Sequence, residues 1–176
     1  RSLSRVPQIT DAYTDHSLGA MQRTDNTFDM ALAKEGQFFA VNTPQGVRLT
    51  RDGTFTINDE GKLVNKQGHE VLSADYFQTK TAIKFTPQDS IVTIDKNGQI
   101  STNVPDTTQM VANKKLLIIE PQNIRALKKE GENLYIPESG DPLTPLAESG
   151  SVMQGFVEKS NVNAVNEMIA LVEANR

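Results

Sequence analysis

The chain has no cysteine and no tryptophan among its 176 residues. The first absence excludes disulfides, thiolate zinc sites and cysteine nucleophiles. The second, with aromatic residues at 6%, leaves no aromatic row on which sugars or bases could stack. Phe38 and Phe39 are neighbours, so a strand points them to opposite faces, one toward a meander and one toward a second layer. Long apolar runs are missing too. The stretch Leu116-Leu117-Ile118-Ile119 is far short of the ~18 residues a membrane helix needs; it reads as a buried strand, and no integral membrane protein is expected. A net charge of −4 gives no electrostatic footprint for nucleic acid, so no nucleic-acid partner is expected. The opening residues Arg1-Ser2-Leu3-Ser4-Arg5 lack the apolar stretch of a cleaved signal peptide. The chain starts without methionine, and a fragment or processed product is expected.

Catalytic constellations are equally scarce. The two histidines are His16, in a polar N-terminal segment, and His69, after a turn. Neither has metal or triad spacing, and both read as surface residues. Asp95-Lys96-Asn97-Gly98 opens like a calcium loop but lacks the later oxygen ligands and closing glutamate, so it reads as a turn. Asp59-Glu60 sits on a loop with nothing to raise a carboxyl pKa. The glycine loops join strand to strand and never open a helix, which removes phosphate binding. No catalytic residue, metal or cofactor is expected, and the chain is not read as an enzyme.

What the chain does have is short loops closed by glycine: Pro44-Gln45-Gly46, Arg51-Asp52-Gly53, Asp59-Glu60-Gly61, Lys66-Gln67-Gly68 and Lys96-Asn97-Gly98. A three-residue hairpin loop places its last residue in the left-handed region, which glycine enters without steric penalty. Gly46, Gly53, Gly61, Gly68 and Gly98 are therefore expected to be structural turn residues. Taking every loop as three residues sets Val41 opposite Leu49, Leu49 opposite Phe55, Val47 opposite Ile57, Ile57 opposite Leu63, Leu63 opposite Val71, and Ile94 opposite Ile100. The expected result is one buried face carrying Val41, Val47, Leu49, Phe55, Ile57, Leu63 and Val71.

The fold class that follows is mainly β: an antiparallel meander or sandwich-like domain with a C-terminal α-helix. Residues 1–26 read as an extended arm or linker and 27–157 as the all-β core. Strands are expected at Phe28–Ala33, Gln37–Thr43, Gly46–Thr50, Thr54–Asn58, Lys62–Asn65, His69–Leu72, Ala82–Phe85, Ile91–Asp95, Gln99–Thr102, Lys115–Glu120, Asn133–Ile136 and Val152–Val157. Residues 158–176 change to a helical period. Val162, Val165, Ile169 and Val172 are spaced by three, four and three, and Met168 and Leu171 widen the stripe. No later segment covers that stripe, so these six residues are expected to form an assembly interface.

Ordered blocks along the chain resemble one family. Gly36-Gln37-Phe38-Phe39-Ala40-Val41, Thr43-Pro44-Gln45-Gly46, Thr50-Arg51-Asp52-Gly53-Thr54-Phe55 and Gly61-Lys62-Leu63-Val64 are similar to the signature of bacterial flagellar rod and hook proteins. Gly155-Phe156-Val157-Glu158-Lys159-Ser160-Asn161-Val162-Asn163, then Glu167-Met168 and Arg176, resemble that family's end motif. The resemblance implies a structural subunit of the flagellar basal-body rod that polymerises axially and transmits torque for motility. It also implies export by the flagellar type III apparatus without a cleaved signal peptide, a location outside the cytoplasmic membrane, and partners that are further copies of itself and neighbouring rod or hook subunits. The family's N-terminal helix is expected to be missing before Arg1, and its terminal helix to continue past Arg176. The competing reading is an exported β-domain that binds cell-wall polymer or a surface protein.

Overall fold

The computed structural model describes residues 14–160, so the stripe Val162, Val165, Met168, Ile169, Leu171 and Val172 lies outside the described residues. Within them the chain is built from short antiparallel strands, as the turn spacing predicts. In chain order these are β1 (Met21–Arg23), β2 (Asp29–Leu32), β3 (Phe38–Thr43), β4 (Gly46–Thr50), β5 (Gly53–Thr54), β6 (Thr56–Ile57), β7 (Leu63–Val64) and β8 (Glu70–Val71). A helical turn α1 (Tyr76–Thr79) follows, then β9 (Val92–Ile94), β10 (Gln99–Asn103), β11 (Met110–Lys115) and β12 (Ile118–Ile119). After a 3-10 turn at Ile124–Ala126 come β13 (Lys128–Glu130), β14 (Leu134–Ile136), β15 (Val152–Gln154) and β16 (Phe156–Glu158). The largest sheet runs β13-β14-β4-β3-β8-β7-β6, with β12 also paired to β3. Smaller sheets are β11-β10-β9, β15-β2-β5 and the ribbon β1-β16.

Three of the five glycine loops share one geometry. Asn58 Oδ1 accepts the amides of Glu60 and Lys62, Asn65 Oδ1 those of Gln67 and His69, and Asp95 Oδ1 those of Asn97 and Gln99, all at 2.9–3.0 Å. In each, the side chain does the work of a backbone acceptor, and the last loop residue is left-handed: Gly61 at φ 83°, Gly68 at 85° and Gly98 at 87°. Here the expected register holds. Ile57 lies opposite Leu63, Ile94 opposite Ile100, and Val64 pairs with Glu70, the register that sets Leu63 against Val71.

The other two loops differ. Thr43 pairs directly with Gly46, leaving a two-residue turn of Pro44 and Gln45. The Thr43 hydroxyl donates to the Gly46 carbonyl at 2.7 Å and accepts the Gln45 amide at 3.2 Å, which closes the turn one residue early. Every β4 partner therefore shifts by one: Leu49 faces Ala40, and Arg48, not Leu49, faces Val41. A one-residue slip exchanges the faces of a strand, and the expected single buried face is corrected accordingly. Val41, Phe55, Leu63 and Val71 join one core, with Ile57 packed against it; Leu49 and the half-buried Val47 join a second.

Gly53 is the other correction. It has no positive φ and lies in β5, which leaves β4 to pair with β2, so neither Leu49–Phe55 nor Val47–Ile57 forms a cross-strand pair. Its lack of a side chain serves a close approach instead: a Cβ there would sit 1.8 Å from the Met30 carbonyl oxygen and 3.0 Å from the Phe39 ring.

Two buried faces explain the apolar runs. Phe39 and Val41 enter the core that holds Met30, Ile100 and Ile118, whereas Phe38 and Ala40 enter the one that holds Leu72, Leu117 and Ile119. Strand β3 divides the two cores, and a strand covered on both faces reads as a continuous apolar run rather than an alternation. Phe38 and Phe39 do point to different layers, as their adjacency requires.

Strand assignments differ elsewhere too. Val152–Val157 is split at Gly155, whose φ is 82°. Ala82–Phe85 forms no strand, only the bridge Lys62–Lys84. Strands β11 and β13, rich in lysine and asparagine, and β1 in the polar segment carry too few apolar residues to be visible as strands. Among the described residues no helix is long and apolar enough to cross a membrane.

Replacing Gly53 and Gly68 by alanine separates the two roles of glycine. Gly68→Ala meets nothing within 4 Å and should cost about 1–2 kcal/mol, the strain of a left-handed residue with a Cβ. Gly53→Ala forces backbone against backbone and should destabilise by more. Chemical denaturation of the two variants checks the order; equal losses would mean that the Met30 contact relaxes freely.

Candidate assembly surface

The first and last strands of the described chain pair with each other. Strands β1 and β16 pair with Met21 opposite Glu158 and Arg23 opposite Phe156. The ribbon extends beyond the strands, with the Lys159 amide bonded to the Ala20 carbonyl at 2.7 Å. Gly19 allows that contact, since a Cβ on it would lie 1.9 Å from the Lys159 oxygen. At the base, the Gly155 carbonyl accepts the amides of Thr24 and Asp25, while the buried Asp29 carboxylate accepts from Thr24 Oγ1 at 2.8 Å and Asn26 Nδ2 at 2.9 Å. Segment 1–26, read from sequence as an arm, thus contributes a strand.

Arg51 fastens this ribbon to the body. Its Nε and Nη2 reach Glu158 Oε1 at 3.1 and 3.0 Å, and the two side chains are only 17% and 10% exposed. Nη1 donates to the carbonyls of Lys34 and Gln37 at 2.7 and 2.8 Å, and Nη2 to that of Leu32 at 2.8 Å. The planar guanidinium spreads its donors over three carbonyls and a carboxylate. Glu158 uses its other oxygen, Oε2, to accept the Gly19 amide at 2.8 Å. One arginine therefore ties the loop between β2 and β3 to the strand that leads into the C-terminal segment. Arg51 and Glu158 come from the two sequence blocks with the strongest family resemblance, and the fold brings those blocks into contact.

A second buried network flanks this one. Gln37 Nε2 donates to the Ser149 carbonyl at 3.4 Å, and the Ser151 hydroxyl donates to Gln37 Oε1.

His16, expected at the surface, is half-buried. Its ring lies 5.4 Å from that of Tyr135 and 6.1 Å, edge-on, from that of the fully buried Phe38. Burial lowers its pKa from the ordinary 6.5, and the charges of Arg51, Arg125 and Lys129 act in the same direction, against Asp15. No spacing pattern marks this contact, because its partners lie 22 and 119 residues away along the chain. His69 keeps its place after a turn and shows no comparable packing. The Asp95 carboxylate serves its own loop amides, and among the described residues no group of three or more His, Cys, Asp or Glu could hold a metal.

Removing one partner of a buried, hydrogen-bonded ion pair costs about 3–5 kcal/mol, because the other charge stays desolvated. Arg51→Ala and Glu158→Ala are each expected to lose stability in that range. By contrast, removal of the exposed Arg23–Asp25 pair should cost under about 1 kcal/mol. Urea unfolding of the variants measures this; similar small losses for all would mean that Arg51 is a surface contact in solution.

The family described as "Flagellar hook protein FlgE/F/G D1 domain" matches residues 34–102, and "Flagellar basal body rod FlgEFG protein C-terminal" matches residues 153–176. Flagellar basal-body rod protein FlgG of Buchnera aphidicola subsp. Schizaphis graminum is 32% identical over 167 residues, covering 92% of this chain and 61% of the relative. FlgF of Mesorhizobium japonicum is 32% identical over 165 residues, 93% of this chain and 64% of the relative. FlgG of Bacillus subtilis is 29% identical over 170 residues, 93% and 62% respectively. The chain thus spans about three-fifths of the length of the relatives it matches. Arg51 falls in the first matched block and Glu158 in the second, so the ion pair joins the two matched stretches: the chain belongs to the family of flagellar rod and hook proteins.

Proposed function

We propose that the chain is the body of a structural subunit of the flagellar basal-body rod, assembled axially and transmitting torque without chemistry of its own. The observation that carries this reading is the β1–β16 ribbon, which pairs the first and last described strands and is clamped by Arg51 and Glu158. A tube built by a screw operation repeats one heterologous contact along its length. A ribbon that joins the first and last described strands and is held to the body by a desolvated ion pair suits such a contact, since it fixes one site on the body from which a directed contact can be made. In this reading residues 27–157 are the body and 158–176 the polymerisation segment. Val162, Val165, Met168, Ile169, Leu171 and Val172 make the interface. Its partners are further copies and neighbouring rod or hook subunits, reached outside the cytoplasmic membrane through the flagellar export apparatus.

The test uses a protein extended to the full length of its relatives. It should form rods or tubes visible by electron microscopy, and a strain lacking it should not swim. Ile169→Asp with Val172→Asp should abolish both assembly and complementation, because two charges in an apolar seam are left unpaired. Ordered tubes from the doubly substituted protein would remove the terminal segment as the assembly element. Normal swimming of the deletion strain would remove the rod reading altogether.

A further inference from the structure

We infer that His16 is an acid-sensitive latch that holds the segment Thr14–Leu18 against the β-body when neutral and releases it when protonated. The latch follows from contacts within this chain and is independent of the rod reading.

The segment is shaped to present one ring. Both the amide and the hydroxyl of Ser17 donate to Asp15 Oδ1, at 2.9 and 2.7 Å, forming a tight local turn with His16 at its middle. The imidazole then packs against both Tyr135 of β14 and Phe38 of β3, whose own rings are 5.6 Å apart. This is a three-ring cluster at the margin of the second core. A neutral imidazole packs there as an aromatic ring. An imidazolium loses water on the same side, which costs free energy.

The charges around the cluster set the sign. From the loop after β4 comes Arg51, from the 3-10 turn Arg125 and from β13 Lys129, all opposing a further cation. Arg51 already belongs to Glu158. Asp15, on the segment itself, is the carboxylate that favours protonation, and its Oδ1 is held by Ser17. Carboxylates farther along the adjoining grooves are Glu35, Glu120 and Glu132, with Asp52 turned to Lys66. Among the described residues, burial first and then the three cations outweigh Asp15 and disfavour the charged form in the docked state. A group with a depressed pKa supplies its stabilisation above the ordinary pKa of 6.5 and withdraws it as pH falls below that value. The docked segment is therefore the neutral-pH state. Acid frees it while β1, just downstream, stays in its ribbon through backbone bonds that do not titrate in this range.

Amide hydrogen exchange of residues 14–18, corrected for intrinsic rates, tests this between about pH 7.5 and about pH 5, where histidine is the side chain that changes charge. The expected result is protection at the upper pH and its loss at the lower, with exchange in β3 and β10 unchanged. His16→Phe should keep the segment protected across the range, and His16→Gln should give one pH-independent level. His69→Gln, which leaves the cluster intact, should retain the wild-type transition. Protection of the wild type that does not change with pH, or loss of protection in His16→Phe with the same midpoint as the wild type, overturns the latch.

Discussion

The desolvated pair Arg51–Glu158 constrains the rest of this structure. A guanidinium that is mostly out of water must have nearly every donor occupied, and Arg51 meets this by holding the carbonyls of Leu32, Lys34 and Gln37 together with the Glu158 carboxylate. Those partners lie at the end of β2, on the loop between β2 and β3, and on the final strand, more than a hundred residues away in sequence. Satisfying one side chain thus fixes the position of β16 relative to the main sheet. Since Glu158 also takes the Gly19 amide, the N-terminal side of the ribbon is fixed by the same group.

The geometry at Gly53 is the steric counterpart of that electrostatic constraint. The residues Thr50-Arg51-Asp52-Gly53 turn the chain out of β4, with Thr50 Oγ1 accepting the Asp52 amide and Asp52 Oδ1 accepting the Thr54 amide. The turn aims Arg51 inward and immediately sends β5 across to β2. The lack of a Cβ lets β5 come close enough to cover Phe39. A family block of six residues is therefore one device with two functions: it places a charge in the interior and it moves the chain between sheets.

This device shows what sequence reasoning could reach. Loops with Asn or Asp at the first position and glycine at the fourth were legible, because the acceptor side chain and the left-handed residue are both local. Asn58 to Lys62, Asn65 to His69 and Asp95 to Gln99 have the same solution, and their registers followed. Thr43 to Gly46 begins with threonine, whose hydroxyl closes a shorter turn, and Thr50 to Gly53 serves a crossing rather than a hairpin. Treating these two as copies of the others slipped β4 by one residue and merged two cores into one. The run Phe38-Phe39-Ala40-Val41 carried the missing information, since a strand with one buried face has no reason to be apolar at consecutive positions. Strands β11 and β13, and the His16 contact, were not legible because their partners are set by tertiary structure and leave no period in the sequence.

The strands themselves are short, many only two or three residues, and ladders of that length add little stiffness. The gaps between them are closed by side-chain amides. Gln154 Oε1 accepts the Ile94 amide at 3.1 Å while its Nε2 donates to the Val92 carbonyl at 3.1 Å, so a side chain covers the outer edge of β9 as a strand would. Gln99 Nε2 spans the irregular stretch of the β10–β11 pair by donating to the Ile100 and Asn113 carbonyls at 2.9 Å. Asn103 Oδ1 takes the Ile91 amide at 2.9 Å. These groups serve two ends at once. They satisfy backbone groups that short ladders leave over, and they blunt edges that would otherwise pair with any neighbouring strand. Under the proposed rod function both matter, because stiffness without covered edges would invite contacts in every direction, and covered edges leave a directed contact to the clamped ribbon.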